Sequence, residues 1–444
     1  VPRPDPIELE PWKAVAGRQL ELFTAQLQGL RERSAFHRRR LEAAGIGPDF
    51  AARSWDDLRR VPFTEKADVR ASLAADPPLG SHLGVPLDQV AQVQATSGTT
   101  GSPSYIGLTD ADVQTWAQLG ARAFRASGVR PADRVLHAWS MSKGFAGGVP
   151  VMHMLRTAGA TILPIGAEAG VERLLVVARD LGATVVCTAP NFALYLGERA
   201  PDILGVAARD LGVRALVVGG EPGGGIPAVR ERIEETWGAT CREVLGNSDI
   251  ATIIWAECEA GDGMHFIGHD LVLAELIDPV TGEHVEPEAG AVGEIVYSAL
   301  QREASAHLRF RSRDHVEVLG TGRCSCGRTS YRLRCFGRTD DMLLVRGINV
   351  WPTAVQEIVT AFRPRTTGAM RIVADFEGHS TQRPLRVEVE RAPGEGEAAL
   401  ADDLTRSIHS RLVFSADVAV LEPGTLARPG AAKVQLVHRV ADGA

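Results

Sequence analysis

Between residues 134 and 222 the chain alternates short apolar runs with longer amphipathic stretches, and this alternation restricts the fold more than any other feature. Arg134-Val135-Leu136-His137-Ala138, Ala160-Thr161-Ile162-Leu163-Pro164, Thr184-Val185-Val186-Cys187-Thr188 and Ala215-Leu216-Val217-Val218 read as strands with helices between them. A βαβα order predicts a largely parallel sheet with helices on both faces. Ligands of such sheets gather at the C-terminal ends of the strands. Two of those ends carry turns with useful chemistry, Thr188-Ala189-Pro190-Asn191 and Gly219-Gly220-Glu221-Pro222, although plain strand-to-helix turns explain the glycines equally well. At 444 residues the chain has room for two or three domains.

Upstream, Gln94-Ala95-Thr96-Ser97-Gly98-Thr99-Thr100-Gly101-Ser102-Pro103-Ser104 sets four hydroxyls, at Thr96, Ser97, Thr99 and Thr100, beside Gly98 and Gly101. Glycines let the backbone turn inward and present N–H groups to an anion, so the stretch reads as a phosphate-handling loop. Residues 90–95 and 105–108 flank it as strands, which predicts a hairpin. An ordinary Ser/Thr/Gly surface turn is the alternative. No Gly-x-x-x-x-Gly-Lys-Ser/Thr run exists.

Thr-Ser-Gly-Thr-Thr-Gly-x-Pro resembles the phosphate loop of the adenylate-forming superfamily of acyl- and aryl-CoA ligases, adenylation domains and luciferases. Later stretches narrow the resemblance to the phenylacetate–CoA ligase branch. Leu58 to Asp68 resembles that family's approach to the loop, with Pro62 and Thr64 breaking and recapping helices in a structural role. Gly219-Gly220-Glu221-Pro222 resembles the element that borders adenine. Leu245-Gly246-Asn247-Ser248-Asp249 stands where the family has aromatic-Gly-x-Ser/Thr-Glu, which implies nucleotide contacts at Gly246, Asn247 and Ser248 and a Mg²⁺ ligand at Asp249. Asp314, within Leu308 to Asp314, matches the ribose-binding aspartate, and Arg338 is placed to reach ribose or phosphate. Phe336 to Pro352 matches the hinge, with Asp340 as pivot. Arg428-Pro429-Gly430-Ala431-Ala432-Lys433 resembles the closing Arg-x-x-Gly-Lys, one residue longer, which casts Lys433 as the catalytic lysine of adenylation. Departures from the pattern stand at Ser102, where relatives have lysine, and at Leu245 and Asp249.

Trp139 to Gly148 interleaves apolar residues with glycines before a helix, which suits a wall that a flat ligand approaches closely. Together with the resemblance this gives an acid pocket of Trp139, Lys143, Phe145, Ala146, Gly147 and Ala189. Ser140, Ser142 and Lys143 are more polar than a bare phenyl ring needs and suggest a hydroxy- or amino-substituted acid. Cys258 and His265, with Cys324 and Cys326 some sixty residues on, make a Cys₃His set suited to a closed, structural Zn²⁺ site. Four buried, inert side chains are the alternative.

Lys and Arg (48) fall short of Asp and Glu (55), so no nucleic-acid footprint is visible. The opening Val-Pro-Arg-Pro-Asp-Pro has no apolar signal core and no apolar run is long enough to span a bilayer, so a soluble cytoplasmic protein without membrane partners is expected. The resemblance implies an α/β fold: a large N-terminal domain (1–338) with mixed or parallel sheets covered by helices, a hinge (339–341), and a small α+β lid (342–444). It also implies ATP-dependent activation of an aromatic carboxylic acid as acyl-AMP, followed by transfer to coenzyme A. Transfer to a carrier protein, an amine or a hydroxyl is the enzymatic alternative, and a non-catalytic nucleotide-binding relative is the other. A homodimer is compatible with the resemblance.

Overall fold

The computed structural model describes residues 3–96, 104–142, 144–426 and 435–440. Strands β1 (Gln92–Ala95) and β2 (Tyr105–Leu108) form the expected antiparallel hairpin. The next eleven strands build one mixed sheet: β3 (Arg134–His137), β4 (Thr161–Pro164), β5 (Val185–Thr188), β6 (Ala215–Gly219), β7 (Thr240–Asn247), β8 (Ala251–Glu257), β9 (Met264–Phe266), β10 (Val272–Ile277), β11 (Val292–Ala299), β12 (Phe310–Gly320) and β13 (Arg332–Arg338). Its order is β10-β11-β12-β13-β9-β8-β7-β6-β5-β3-β4. The run β4-β3-β5-β6-β7 is parallel, and every pairing from β7 to β10 is antiparallel.

Unbroken apolar runs in the parallel half have a simple cause. Successive side chains of a strand point to opposite faces. Val135, Val185 and Val217 enter one core, with the helices Asp110–Ala126 and Val149–Ala158. Their neighbours Leu136, Val186, Leu216 and Val218 enter another, with Val171–Asp180, Pro190–Leu204 and Pro227–Trp237.

The N-terminal segment is helical, as its periodicity predicts, and Phe23, Leu27 and Leu30 of helix Trp12–Arg33 are buried against Leu58, Leu300 and Leu308. One expectation changes there. The helix Lys66–Ala75 is capped by a box of Glu65 and Asp68, not by Thr64. Thr64 is stitched instead to the start of β12: its N–H donates to the Arg309 carbonyl at 2.9 Å, and its carbonyl accepts from Arg311 N–H at 3.0 Å. Bonding on both sides fixes the approach of that helix to the sheet.

After β13 the chain enters a small α+β unit. Helices Pro352–Ala361 and Glu397–Leu412 cover a four-stranded sheet ordered Ala416–Leu421, Leu385–Arg391, Thr366–Ala374, Val437–Arg439. Val355, Ile358, Ile372, Val387, Leu404 and Ile408 close its core. Arg363 of this unit pairs with Glu198 of the large one at 2.6 Å, and Trp351 stacks on His315 with centroids 4.4 Å apart. Among the described residues no helix is long and apolar enough to cross a membrane.

Candidate active site

A cavity of about 410 Å³ opens where the parallel and antiparallel halves of the sheet meet. Turns following β6 and β7, one end of β12, the end of β13 and the start of helix Lys66–Ala75 surround it. It therefore lies at the strand ends that the βαβα order singles out.

Each wall is held by a local device. After β6, Gly219 passes so close to β7 that a Cβ there would meet the Val244 carbonyl oxygen at 2.4 Å. The Glu221 side chain accepts from Asn191 Nδ2 at 2.9 Å and from the Asn191 amide at 3.3 Å. After β7, the Asn247–Ile250 turn opens into the antiparallel strand β8, so this element is a β-hairpin. Asn247 Oδ1 accepts from Asp249 N–H at 3.0 Å, a local side-chain bond typical of Asx turns.

A bulge aims Asp314 at the cavity. Glu294 and Val296 of β11, two apart, face His315 and Arg311 of β12, four apart, so two extra residues are accommodated in β12. Arg313 takes up the distortion in a left-handed conformation (φ 66°), clamped by Glu65. Asp314 is thereby turned onto the cavity, its amide bonded to Ser312 Oγ at 3.0 Å. Arg338 reaches the same wall: it donates to Asp340 at 2.9 and 2.8 Å and to the Ser312 carbonyl at 3.2 Å, with Asp314 at 3.8 Å. Burial pulls the Arg338 pKa down, but Asp314 and then Asp340 lift it above the ordinary arginine value. Asp340, expected as a pivot, anchors a cavity arginine here.

Facing this carboxylate–guanidinium corner, Lys66 Nζ lies 2.6 and 2.7 Å from the two oxygens of Asp249. Burial lowers the Lys66 pKa, and Asp249 opposes that shift. The ammonium stands where a cation bound to Asp249 would stand, so the expected Mg²⁺ at Asp249 does not fit this arrangement. Sequence reasoning gave the stretch containing Glu65 and Lys66 a structural role only, whereas both line the cavity. Their signal was two opposite charges at a helix start just past Val61-Pro62-Phe63. Arg70, Arg311 and Arg313 were missed as well. Glu243, also on the wall, is held up to about 7 by burial, with Glu257 adding to it.

Trp139, Phe145, Gly147, Val151, Ile253 and Met264 make an apolar wall. Trp139 Nε1 donates to the Gly219 carbonyl at 3.1 Å, fixing the ring and satisfying its polar edge. At Gly147 a Cβ would meet the Phe145 ring at 2.4 Å, so only glycine leaves that ring its place. Two expectations are corrected. Ala146 is fully buried beneath the wall, with its carbonyl taken by Thr252 Oγ1 at 3.1 Å. Ala189 caps the helix Pro190–Leu204 and packs on the second core. Neither lines the cavity. The serines also turn away: Glu168 accepts from Ser140 Oγ, from Ser142 Oγ at 2.7 Å, and from the amides of Met141 and Ser142 at 3.1 and 3.2 Å. These hydrogen bonds hold the Glu168 carboxyl down at about 2 against the effect of burial. With these hydroxyls engaged, Ser140 and Ser142 no longer support a hydroxy- or amino-substituted acid; Lys143, the third residue behind that inference, lies outside the described residues.

Cys258, His265, Cys324 and Cys326 come together as expected, with all four donor atoms within 4.8 Å of one another. Cys258 Sγ lies 3.7 Å from Cys324 Sγ, and Cys326 Sγ lies 3.6 Å from His265 Nε2. A tetrahedron with Zn–S of about 2.3 Å and Zn–N of about 2.0 Å has edges of about 3.7 and 3.5 Å, so the set fits Zn²⁺. His265 Nδ1 is 3.4 Å from Ser330 Oγ, a second contact that orients the ring. Gly327 makes the knuckle turn in a left-handed conformation (φ 92°).

Thr96, Gly220, Glu221, Pro222, Gly246, Asn247, Ser248, Asp249, Asp314 and Arg338 all border the one cavity. Ser97, Gly98, Thr99, Thr100 and Gly101 of the loop, Lys143 of the acid pocket, and Lys433 lie outside the described residues.

Residues 49–301 match the family model described as AMP-binding enzyme, and residues 347–442 match its C-terminal domain. A phenylacetate-coenzyme A ligase of Thermus thermophilus is 34% identical over 91% of this chain and 88% of its own length. One of Escherichia coli is 30% identical over 96% of this chain and 94% of its own length. Among solved structures, 2-hydroxyisobutyryl-CoA ligase in its postadenylation state with 2-HIB-AMP superposes with a TM-score of 0.87 at 29% identity, covering 96% of this chain and 89% of that one. The same ligase with 2-HIB-AMP and CoA in the thioesterification state, at 30% identity and the same coverages, gives 0.68. With sequence, fold and cavity in agreement, this chain belongs to the AMP-binding enzyme family, alongside the phenylacetate–CoA ligases.

Proposed function

We propose that the protein uses ATP to convert an aromatic carboxylic acid into its acyl-AMP and then transfers the acyl group to coenzyme A. The observation that carries this reading is the single cavity in which Asp314 and Arg338, the Gly219–Pro222 turn and the Leu245–Asp249 turn meet an apolar wall ending at Trp139 and Phe145. An acceptor-only carboxylate suits ribose hydroxyls, and Gly246 brings backbone close to a ligand. Leu245 packs where a base would lie, without aromatic stacking. Lys66, Arg70, Arg311, Arg313 and Arg338 place cations around the cavity, which favour the negative charge that develops as a carboxylate attacks the α-phosphate. Lys433 would add a further point charge in that step, and the hydroxyls and amides of residues 96–101 would cradle the phosphates.

The wall of Trp139, Phe145, Gly147, Val151, Ile253 and Met264 offers a ring no hydroxyl or charge, which favours a benzoic or arylacetic acid without polar ring substituents. Zn²⁺ held by Cys258, His265, Cys324 and Cys326 would tie the β8–β9 turn to the segment between β12 and β13, a structural role since four protein ligands leave no open position. No step is assigned to Mg²⁺ at Asp249. Residues 339–341 serve as the pivot between the two units, with Asp340 at its centre.

The test is acid-dependent exchange of pyrophosphate into ATP across a panel of benzoic and arylacetic acids, followed by addition of CoA. Exchange with an unsubstituted aryl acid and thioester formation with CoA are expected. Exchange without a CoA thioester would replace CoA by a carrier protein or another nucleophile. Absence of exchange with every acid would overturn the reading.

A further inference from the structure

The contact between lid and large domain is tied to the cavity by a short chain of side chains. Gln356, on the first lid helix, is only 3% exposed and donates from Nε2 to Asn191 Oδ1 at 3.3 Å. Asn191, in the first turn of the helix Pro190–Leu204, donates from Nδ2 to Glu221 Oε1 at 2.9 Å. Glu221 forms part of the cavity wall between Gly220 and Pro222.

The polarity of this chain is fixed from the cavity end. An ionised carboxylate only accepts, so Asn191 must present its NH₂ group to Glu221 and its carbonyl oxygen to the lid. The lid residue must then be a donor. Gln356 meets that demand with Nε2 and leaves its own Oε1 buried without a hydrogen-bond partner. A buried amide with half its capacity unused is costly unless the other half does something specific. At equal coverage the whole chain is more similar to the postadenylation structure, with a TM-score of 0.87, than to the thioesterification state, with 0.68.

We propose that Gln356 is a positioning residue that couples the lid to the nucleotide site through Asn191 and Glu221. It rests on reading the cavity as the nucleotide site. With the lid in this position Gln356 orients Asn191, and Asn191 holds the Glu221 carboxylate on the wall. When the lid rotates away, Glu221 loses that constraint and the nucleotide is held less firmly. Adenylation therefore depends on Gln356, and thioester formation does not.

The test is titration calorimetry of ATP on the full chain and on Gln356→Glu, Glu221→Gln and the double variant. Gln356→Glu replaces the donor by an acceptor, and a neutral hydrogen bond of about 0.5–1.5 kcal/mol predicts a Kd about two- to twelvefold weaker. In the Glu221→Gln background both amides can flip, the polarity can reverse, and Gln356→Glu is expected to change Kd by less than about twofold. Gln356→Glu is likewise expected to raise the ATP KM of pyrophosphate exchange, with the rate of thioester formation from added acyl-AMP unchanged. An equal effect of Gln356→Glu in both backgrounds, no effect in either, or an equal loss in both half-reactions would overturn the coupling. Failure of the wild-type chain to bind ATP would instead overturn the nucleotide site itself, and the coupling with it.

Discussion

Lys66 and Asp249 lie 183 residues apart in sequence, and their charged groups meet at 2.6 and 2.7 Å. The Asp249 side chain is 7% exposed and that of Lys66 27%, so the pair is shielded enough for each charge to need the other. Removing one member of such a pair leaves an uncompensated charge, which costs more than the intact pair contributes. Lys66→Ala is therefore expected to lower unfolding stability by about 2 kcal/mol, and Lys66→Ala with Asp249→Asn to recover most of that. Urea melts of the three proteins decide it. Equal losses in the single and double variants would mean that the ammonium acts through packing alone.

Metal removal gives a second expectation. A structural Zn²⁺ contributes folding free energy directly. Metal analysis is expected to find about one zinc per chain, in line with a four-ligand site, and chelation or Cys324→Ser to lower the melting temperature. Arg328 beside this knuckle pairs with buried Glu8 at 2.7 Å, so early proteolysis near residue 8 should accompany metal loss. A metal-free protein of unchanged stability would rule the role out.

Stability should also fall in mild acid. Burial holds His37 and His82 down to about 4 from 6.5, and holds His307 well below its usual value. Their folded pKa values lie below the unfolded ones, so the unfolded chain binds more protons between them. The stabilisation is complete above about 6.5 and is lost as pH falls through about 4. At 1.36 kcal/mol per pKa unit His37 and His82 each contribute on the order of 3 kcal/mol, His307 adds in the same direction, and the sum is less than additive because the three face one another. Denaturant unfolding at pH 7 and pH 4.5 reads this out; equal stabilities would show that carboxylates, not these imidazoles, set the acid limit.

Gly246 cannot carry a side chain without moving backbone, since a Cβ there would lie 2.0 Å from the Thr252 carbonyl oxygen. Gly246→Ala is expected to cost about 2 kcal/mol, in the range of overpacking in a tight site, and to weaken ATP binding by distorting the Asn247–Asp249 turn. Circular dichroism melts with ATP titration test both. Normal ATP affinity would separate this turn from the nucleotide.

Some of this protein was legible in its sequence because the information is local. Alternating apolar runs fixed the strands and helices of residues 134–222, since burial on both faces demands continuous apolar strands and crossover helices demand a second period. The Cys258–His265 and Cys324–Cys326 spacings named four donors, because few side chains bind Zn²⁺. Other features had no local signature. Lys66 reads as one more charge on an amphipathic helix until folding carries Asp249 to it. Ser140 and Ser142 read as pocket hydroxyls until Glu168, 28 and 26 residues away, takes them. Residue types and spacings thus determined the elements and the chemistry available, because backbone preferences and side-chain donors act within a few residues. Which charges neutralise one another, which hydroxyls remain for a ligand and which residue of the C-terminal unit meets Asn191 depend on long-range packing, and only the tertiary structure decided them.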